Sequence, residues 1–279
     1  AYTNYGDEDM SKGKNLFCLF LLIISLIYIN KIFKDINIID FVLKDNKQSV
    51  VINTVKNQKL SNSIEKPIKK TTEKKQEKTK SPLVYIYNTH ETEEYGSTPY
   101  NIAPTVKTAS NILKEELKTL GVSSILETRS ITKEVNKRGL DYPNTYTVSF
   151  EYLKDTKKRH KTIKYFFDVH RDSVTGPPSV TTIKGKKYAT MMFLVGTKNK
   201  NYQKNVNNLK IMESYLNKHY KNLVRSTYYQ KHSNFNQGYS QNMFLVEIGG
   251  PENTLEEVYN TTKALSEAIN YYIGVSYEK

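Results

Sequence analysis

The chain has one cysteine in 279 residues, Cys18. That excludes an intramolecular disulfide framework and any zinc site built on thiolates, so a metal would have to be held by histidine and carboxylate. Tryptophan is absent, whereas tyrosine occurs 22 times and lysine, asparagine and isoleucine are abundant. This is the drift of an AT-rich genome, and part of the basic excess is therefore compositional background. Acidic residues are the minority, 28 Asp and Glu against 42 Lys and Arg, for a formal charge of +14. Such a charge suits nucleic acid, an anionic membrane surface or an anionic wall polymer, and by itself does not choose among them. No internal repeat and no nucleic-acid recognition motif is visible, and an apolar segment precedes the basic one, which argues against nucleic acid. Hydrophobicity is not lacking: at 38% over this length the chain can bury a core and is not disordered overall.

Residues 16–29, LFCLFLLIISLIYI, are apolar apart from one serine, and NKIF extends the stretch to Phe33. Lys12 and Lys14 precede it and no small-x-small cleavage site follows. The segment 16–34 is expected to be an uncleaved single-pass anchor, with 1–15 on the cytoplasmic side by the positive-inside tendency. From 35 to 82, past a short apolar patch, the chain turns polar and ends in EKPIKKTTEKKQEKTKSP. Such a stretch has too little apolar surface to fold and is expected to be a basic, flexible linker.

Residues 83–279 change character. Short apolar runs at 83–88, 123–128, 163–169, 189–195, 223–228 and 243–248 read as strands, and helical patterns fall at 104–120, 145–160, 201–220 and 254–273. Strand and helix alternation of this kind predicts an α/β domain with a mostly parallel twisted sheet flanked by helices. The stretch 174–188, VTGPPSVTTIKGKKY, interrupts the alternation and reads as an excursion or hairpin walling whatever lies beside DVHRDS.

Parallel α/β sheets bind ligands outside the carboxyl ends of their strands. Three strands end on groups that can bind metal or move protons: LVYIYNTHETEEY reaches His90, YFFDVHRDS reaches His170, and MFLVEIGGPEN carries Glu247 inside an apolar run. A carboxylate between Val246 and Ile248 is costly unless it is paired or binds a cation. Two imidazoles and one carboxylate with a position left open is a recognised arrangement for catalytic zinc, and a further carboxylate can serve as general base for amide hydrolysis. His90 and His170 are the ligand candidates, Glu93 the preferred third ligand and Glu247 the preferred base. Glu91 and Glu94 are alternatives to Glu93, and Glu247 could itself be the ligand. Asp168, two positions before His170 and so on the same face, either orients a ligand or joins the metal. Arg171 is a candidate for binding substrate carboxylates, against a salt bridge to Asp172 or Asp168, and Asn236 is a candidate substrate contact from the loop before the last strand.

YNTHETEEY (Tyr87–Tyr95), DVHRD (Asp168–Asp172) and FLVEIGGPENT (Phe244–Thr254), with LDYPNTYTVSFEYL (Leu140–Leu153) and NFNQGYSQNMFLVEIGG (Asn234–Gly250), occur in this order along the domain. Together they resemble the stage II sporulation protein P family of spore-forming Firmicutes, over nearly all of 83–279. The resemblance implies a fold like that of the zinc cell-wall amidases and a zinc-dependent N-acetylmuramoyl-L-alanine amidase acting on peptidoglycan, with an accompanying endopeptidase activity on the peptide crosslinks. It also implies work during engulfment, between the mother-cell and forespore membranes, with the sporulation proteins D and M as partners. One departure bears on the ligands. The wider amidases place a ligand Glu at the start of the helix after the first His motif, where this chain reads NIAPTVKTASNIL without an acidic residue, which is the reason for choosing Glu93. A zinc carboxypeptidase or pure endopeptidase on the same polymer, and a non-catalytic wall-binding scaffold, are the competing readings.

Overall fold

The computed structural model describes residues 81–96, 103–200 and 202–277. The anchor expected at 16–34, the segment before it and nearly all of the 35–82 linker lie outside the described residues. No helix of the described residues is long and apolar enough to cross a membrane.

The chain runs β1 (Val84–Tyr87), α1 (Val106–Thr119), β2 (Ser124–Leu126), α2 (Ile131–Lys137), α3 (Thr145–Arg159), β3 (Tyr165–His170), β4 (Val180–Ile183), β5 (Lys186–Ala189), β6 (Met191–Gly196), α4 (Tyr202–His219), β7 (Tyr228–Gln230), β8 (Met243–Ile248) and α5 (Leu255–Tyr277). Six strands form one sheet in the order β2-β1-β3-β8-β6-β7. The pairs β2-β1, β1-β3 and β3-β8 are parallel, β8-β6 is antiparallel and β6-β7 is parallel. The sheet is thus mostly parallel, as its sequence predicts, with its last two strands reversed.

The three central strands are buried along nearly their whole length, so each offers apolar side chains to both faces. Val84, Ile86, Tyr165, Phe167, Val169, Phe244 and Val246 point to one face, into the main core with Leu113 and Leu117 of α1, Met212 and Leu216 of α4, and Leu265 and Ile269 of α5. The alternate residues Tyr85, Tyr87, Phe166 and Met243 point to the other face and meet Leu153 of α3. This period-two division decides which polar residues share a face at the strand ends.

Local signals set the helix ends. Thr105 caps α1 by accepting from the Lys107 amide, and Gly121, at φ +77°, ends it, a conformation favouring glycine. Thr254 and Glu257 form a capping box at α5: the Thr254 amide donates to Glu257 Oε2 at 3.0 Å and the Glu257 amide to Thr254 Oγ1 at 3.3 Å. Residues 174–188 do contain a hairpin, β4-β5, turning on Lys184 and Gly185, both at positive φ. Two elements depart from expectation. Helix α2 buries only Ile131 and Val135, too few residues to print a helical period. The strand expected at 223–228 lies at 228–230, because Val224 makes only an isolated bridge to Met191 and Arg225 turns its side chain to Asp172.

The strand end after Ile248 is where the fold is tightest. Gly249 has φ +65°, and a Cβ on Gly250 would stand 1.7 Å from the Val174 carbonyl oxygen. The loop leaving β3 crosses directly over these glycines, held by the Asp172 amide donating to the Gly249 carbonyl at 2.9 Å. Gly250→Ala is therefore expected to lower stability by about 3 kcal/mol or more, since a backbone atom must move. Gly274→Ala, on α5 with nothing within 4 Å, should be neutral or gain up to about 1 kcal/mol. Thermal unfolding of the two variants checks both.

Candidate active site

Parallel registry assembles the site. His170 on β3 is the Cα partner of Glu247 on β8, and Asp168 is the partner of Tyr87 at the end of β1. Phe166, Asp168, His170 and Glu247 fall on the α3 face by strand alternation. The turn that follows β1 then brings Thr89, His90 and Glu93 to the same edge.

Three of the expected residues converge. His90, Glu93 and His170 each offer a ligand atom, all within 4.8 Å of one another, and form a group that could hold a metal ion. Glu93 sits between the imidazoles: its Oε1 is 3.4 Å from His90 Nδ1 and its Oε2 is 3.6 Å from His170 Nδ1. The rings of His90 and His170 meet edge to face, with centroids 5.0 Å apart.

Asp168 stands behind this group. Its carboxylate is 1% exposed, and it accepts from the Thr89 amide at 2.9 Å and the Thr89 hydroxyl at 2.7 Å. His170 Nε2 lies 2.9 Å from Asp168 Oδ1 but off the N–H axis, so the contact is an ionic one and leaves Nε2 without a directed hydrogen bond. One buried carboxylate thus fixes the His170 ring and, through Thr89, the turn carrying His90. Asn88 braces the same turn, its side-chain amide donating to the Val169 carbonyl at 2.6 Å and to Ser110 Oγ at 2.8 Å.

Burial and charge separate the roles of the ionisable groups. Burial would raise Glu93, but its contacts with His170 and His90 and the Arg171 amide, 2.9 Å from Oε2, outweigh it and hold the carboxyl at about 2. Glu93 is therefore held in its carboxylate form, the form in which a carboxyl binds a cation. Glu247 goes the other way. Burial pushes it up to about 7; the charge of His170 opposes this, and Glu93, Asp172 and Asp168 add to it. Its Oε2 is buried with no hydrogen-bond partner. Burial would lower His170, yet Asp168, Glu93 and Glu247 together raise it well above the ordinary histidine value. A cation entering here must displace that proton.

The remaining sequence candidates divide. Glu91 is turned away from the group: its Oε1 accepts from the Ser130 hydroxyl and from the Thr132 amide at 3.1 Å, serving the start of α2. Glu94 is exposed, with its backbone bridged to Thr105. Neither belongs to the cluster around Glu93. Arg171 forms no ion pair among the described residues, and its Nε is buried without a partner; Asp172 pairs instead with Arg225. Asn236 donates its side-chain N–H groups to the Tyr146 carbonyl at 3.0 Å and Ser149 Oγ at 3.1 Å, tying the loop before β8 to α3.

Sequence reasoning missed the aromatic side of the site. Tyr142 stacks on His90 with centroids 4.7 Å apart, and Tyr146 meets the same imidazole edge-on at 5.4 Å. Both lie in LDYPNTYTVSFEYL, but nothing in that segment says which ring a loop will present to which histidine. The two described cavities, about 270 and 440 Å³, both touch Lys164 and are lined by no histidine or carboxylate. The chemistry, not the hollows, marks this edge of the sheet.

Comparison with known proteins gives a family match. A family model described as Stage II sporulation protein P (SpoIIP) matches residues 31–270. The chain is 29% identical over 243 residues to the stage II sporulation protein P of Bacillus subtilis (strain 168), covering 82% of this chain and 59% of that relative. It therefore spans less than two thirds of that relative's length. Among solved structures, the CwlD amidase from Clostridioides difficile in complex with the GerS lipoprotein overlaps with a TM-score of 0.44 at 14% identity, covering 70% of this chain and 97% of that one. The N-acetylmuramoyl-L-alanine amidase AmiC2 of Nostoc punctiforme gives 0.40 at 11%, covering 71% and 98%. The N-acetylmuramoyl-L-alanine amidase from Clostridium difficile 630 gives 0.42 at 12%, covering 72% and 99%. At these TM-scores the superpositions are too loose to carry residue roles across.

The Glu247 shift has a thermodynamic consequence in the metal-free chain. Because folding raises its pKa, the carboxyl's contribution to stability is fully present below about pH 4.5 and is lost as the pH rises through about 7. Glu247→Gln, which cannot ionise, is expected to melt a few °C above the wild type at pH 8, with the gap closing toward pH 5. Thermal melts in chelator at the two pH values measure it.

Proposed function

The chain belongs to the stage II sporulation protein P family, and from that premise we propose that it is a zinc-dependent hydrolase of peptidoglycan, cleaving the N-acetylmuramoyl-L-alanine amide bond. The observation that carries this reading is the pairing of a two-histidine, one-carboxylate group with a half-buried carboxyl, Glu247, whose pKa is pushed up to about 7, in register beside it.

The residues fit the metal. Ligands held about 2.0–2.2 Å from a tetrahedral zinc stand roughly 3.4 Å apart, and Glu93 lies 3.4 and 3.6 Å from the two imidazole nitrogens. Two neutral nitrogens and one carboxylate leave a position open, which distinguishes catalytic from structural zinc. Bound there, zinc would supply Lewis acidity, polarising an amide carbonyl and acidifying a water molecule.

The chain's own residues do the rest. His90, Glu93 and His170 hold the ion, and Asp168 keeps His170 and the His90 turn in place. Glu247 takes the proton of the attacking water and returns it to the amine nitrogen as the C–N bond breaks, a role suited to a carboxyl poised near neutral pH. Arg171, without an ion pair among the described residues, takes a carboxylate of the stem peptide. Asn236 contributes its carboxamide oxygen as a substrate contact, its N–H groups being committed to α3.

The family and the apolar run in 16–34 support a cellular setting for this activity. The chain is anchored in a membrane by that segment, and its domain works outside the cytoplasm between the mother-cell and forespore membranes during engulfment. The sporulation proteins D and M are its partners, and cleavage of peptide crosslinks accompanies the amidase reaction.

Digestion of purified sacculi by the chain tests the reaction. The expected products are stem peptides with a free alanine amino group and glycan strands with free lactyl groups, identified by mass spectrometry. Shortened stems still attached to glycan, with no free lactyl group, would mean a peptidase only, and no released product would mean a wall-binding scaffold. Glu247→Ala should cut the rate by about a hundredfold or more.

A further inference from the structure

Tyr142 is one of few large side chains the fold leaves in water, at 58% exposed. It stands on a rigid turn. Pro143 follows it, the Asn144 amide donates to the Asp141 carbonyl at 2.9 Å, and the Thr145 hydroxyl donates to the Tyr142 carbonyl at 2.8 Å. Folding gives no reason to hold an aromatic ring there, since burying it would be favourable. Its ring lies over His90, 4.7 Å between centroids and 29° from parallel.

The aromatic surface continues from that point. Tyr146 and Phe150, four residues apart, share one face of α3. The loop before β8 lays Phe235 on Tyr146 and Tyr239 against Phe150, each pair 5.7 Å between centroids, with the Asn236 amide bonded to α3 between the two. Phe235 and Asn236 both adopt positive φ, +47° and +60°, a conformation that costs free energy in residues other than glycine. The rings of this loop pack on α3 and, through Tyr239, edge-on against Phe166, while Tyr239 remains 38% exposed. Among the described residues, the charge stacked on these rings is Lys154, over Phe150 at 4.6 Å.

Beside this band the charge changes in kind, and Arg171 stands close enough for its charge to act on Tyr142. Past His170 come Arg171, Asp172 and Arg225, in which only one arginine is neutralised. The uncharged rings border the group at His90, and Arg171 borders it through its amide on Glu93. We infer that the aromatic band from Tyr142 to Tyr239 is a saccharide-binding subsite, which takes the neutral N-acetylated sugar half of the substrate while the arginine flank takes its anionic peptide half. The apolar C–H face of a pyranose ring stacks on tyrosine and phenylalanine without requiring charge. This inference rests on the reading of the chain as a peptidoglycan hydrolase, and it fixes the direction in which substrate lies across the site.

Calorimetric titration of the full chain with two probes tests it: a peptide-free tetramer of β-1,4-linked N-acetylglucosamine, and a free stem peptide. Tyr142→Ala should weaken the tetramer about tenfold or more, leave stem-peptide affinity and zinc content unchanged, and be rescued by Tyr142→Phe. Arg171→Ala should do the reverse, weakening the peptide and sparing the tetramer. Unchanged tetramer affinity in Tyr142→Ala would overturn the subsite. So would loss of zinc together with both probes, which is what a mere clamp on His90 would produce. A wild-type chain that digests sacculi but does not bind the tetramer overturns the subsite and leaves the hydrolase reading standing. Tetramer binding that depends on Tyr142, with no hydrolytic product from sacculi, does the opposite.

Discussion

The carboxylate of Asp168 is the constraint on which the site depends. It is buried on the central strand, takes two hydrogen bonds from Thr89, and lies against the His170 ring. Leaving that buried carboxylate without its partners would cost several kcal/mol, so the β1 turn is held docked on β3. That docking is what keeps His90 within reach of Glu93 and His170. On the proposed reading, the same carboxylate holds the ring of a metal-binding histidine in place. The same interaction therefore serves the fold and the chemistry.

The second organising fact is registry. Parallel pairing sets His170 beside Glu247, and a slip of one residue would turn either side chain to the opposite face. Two glutamates beside the imidazoles, Glu93 and Glu247, end in different states because their surroundings differ. Glu93 is held ionised by its polar contacts, whereas Glu247 is pushed up by burial and by its acidic neighbours. Environments that drive two carboxyls apart in this way are how one site obtains both a permanent anion and a proton carrier. Such a site gives up stability for function, with several buried polar atoms left without partners, Glu247 Oε2 and Arg171 Nε among them.

Much of this was legible in the sequence, for particular reasons. A histidine or glutamate at the end of an apolar run is visible because strands have period two and parallel sheets gather their strand ends at one edge. His90, His170 and Glu247 become candidates on that ground, and Glu93 becomes one through the resemblance to the amidases, whose ligand Glu has no counterpart in NIAPTVKTASNIL. What the sequence hid depends on loops meeting across the fold. Glu91 and Glu93 look equivalent in THETEEY, yet one faces Ser130 and the other the imidazoles. Helix α2 is too short to show a period, and the 223–228 run is broken by an ion pair with a residue 53 positions away. Tyr142 belongs to a segment whose resemblance is plain, but its stacking on His90 has no local signature.

On the proposed reading, the aromatic band beside His90 and the arginine past His170 give a bond between an uncharged sugar and an acidic peptide a natural lie across His90, Glu93 and His170. All of it presumes that these three residues hold a metal, with Glu93 and not Glu91 as the carboxylate. Zinc content per chain, measured by elemental mass spectrometry on the wild type, Glu93→Ala and Glu91→Ala, tests that presumption most directly. About one zinc per chain in the wild type and in Glu91→Ala, with loss in Glu93→Ala, is the predicted result. A wild type without zinc, or a Glu93→Ala variant that keeps its full complement, would contradict it.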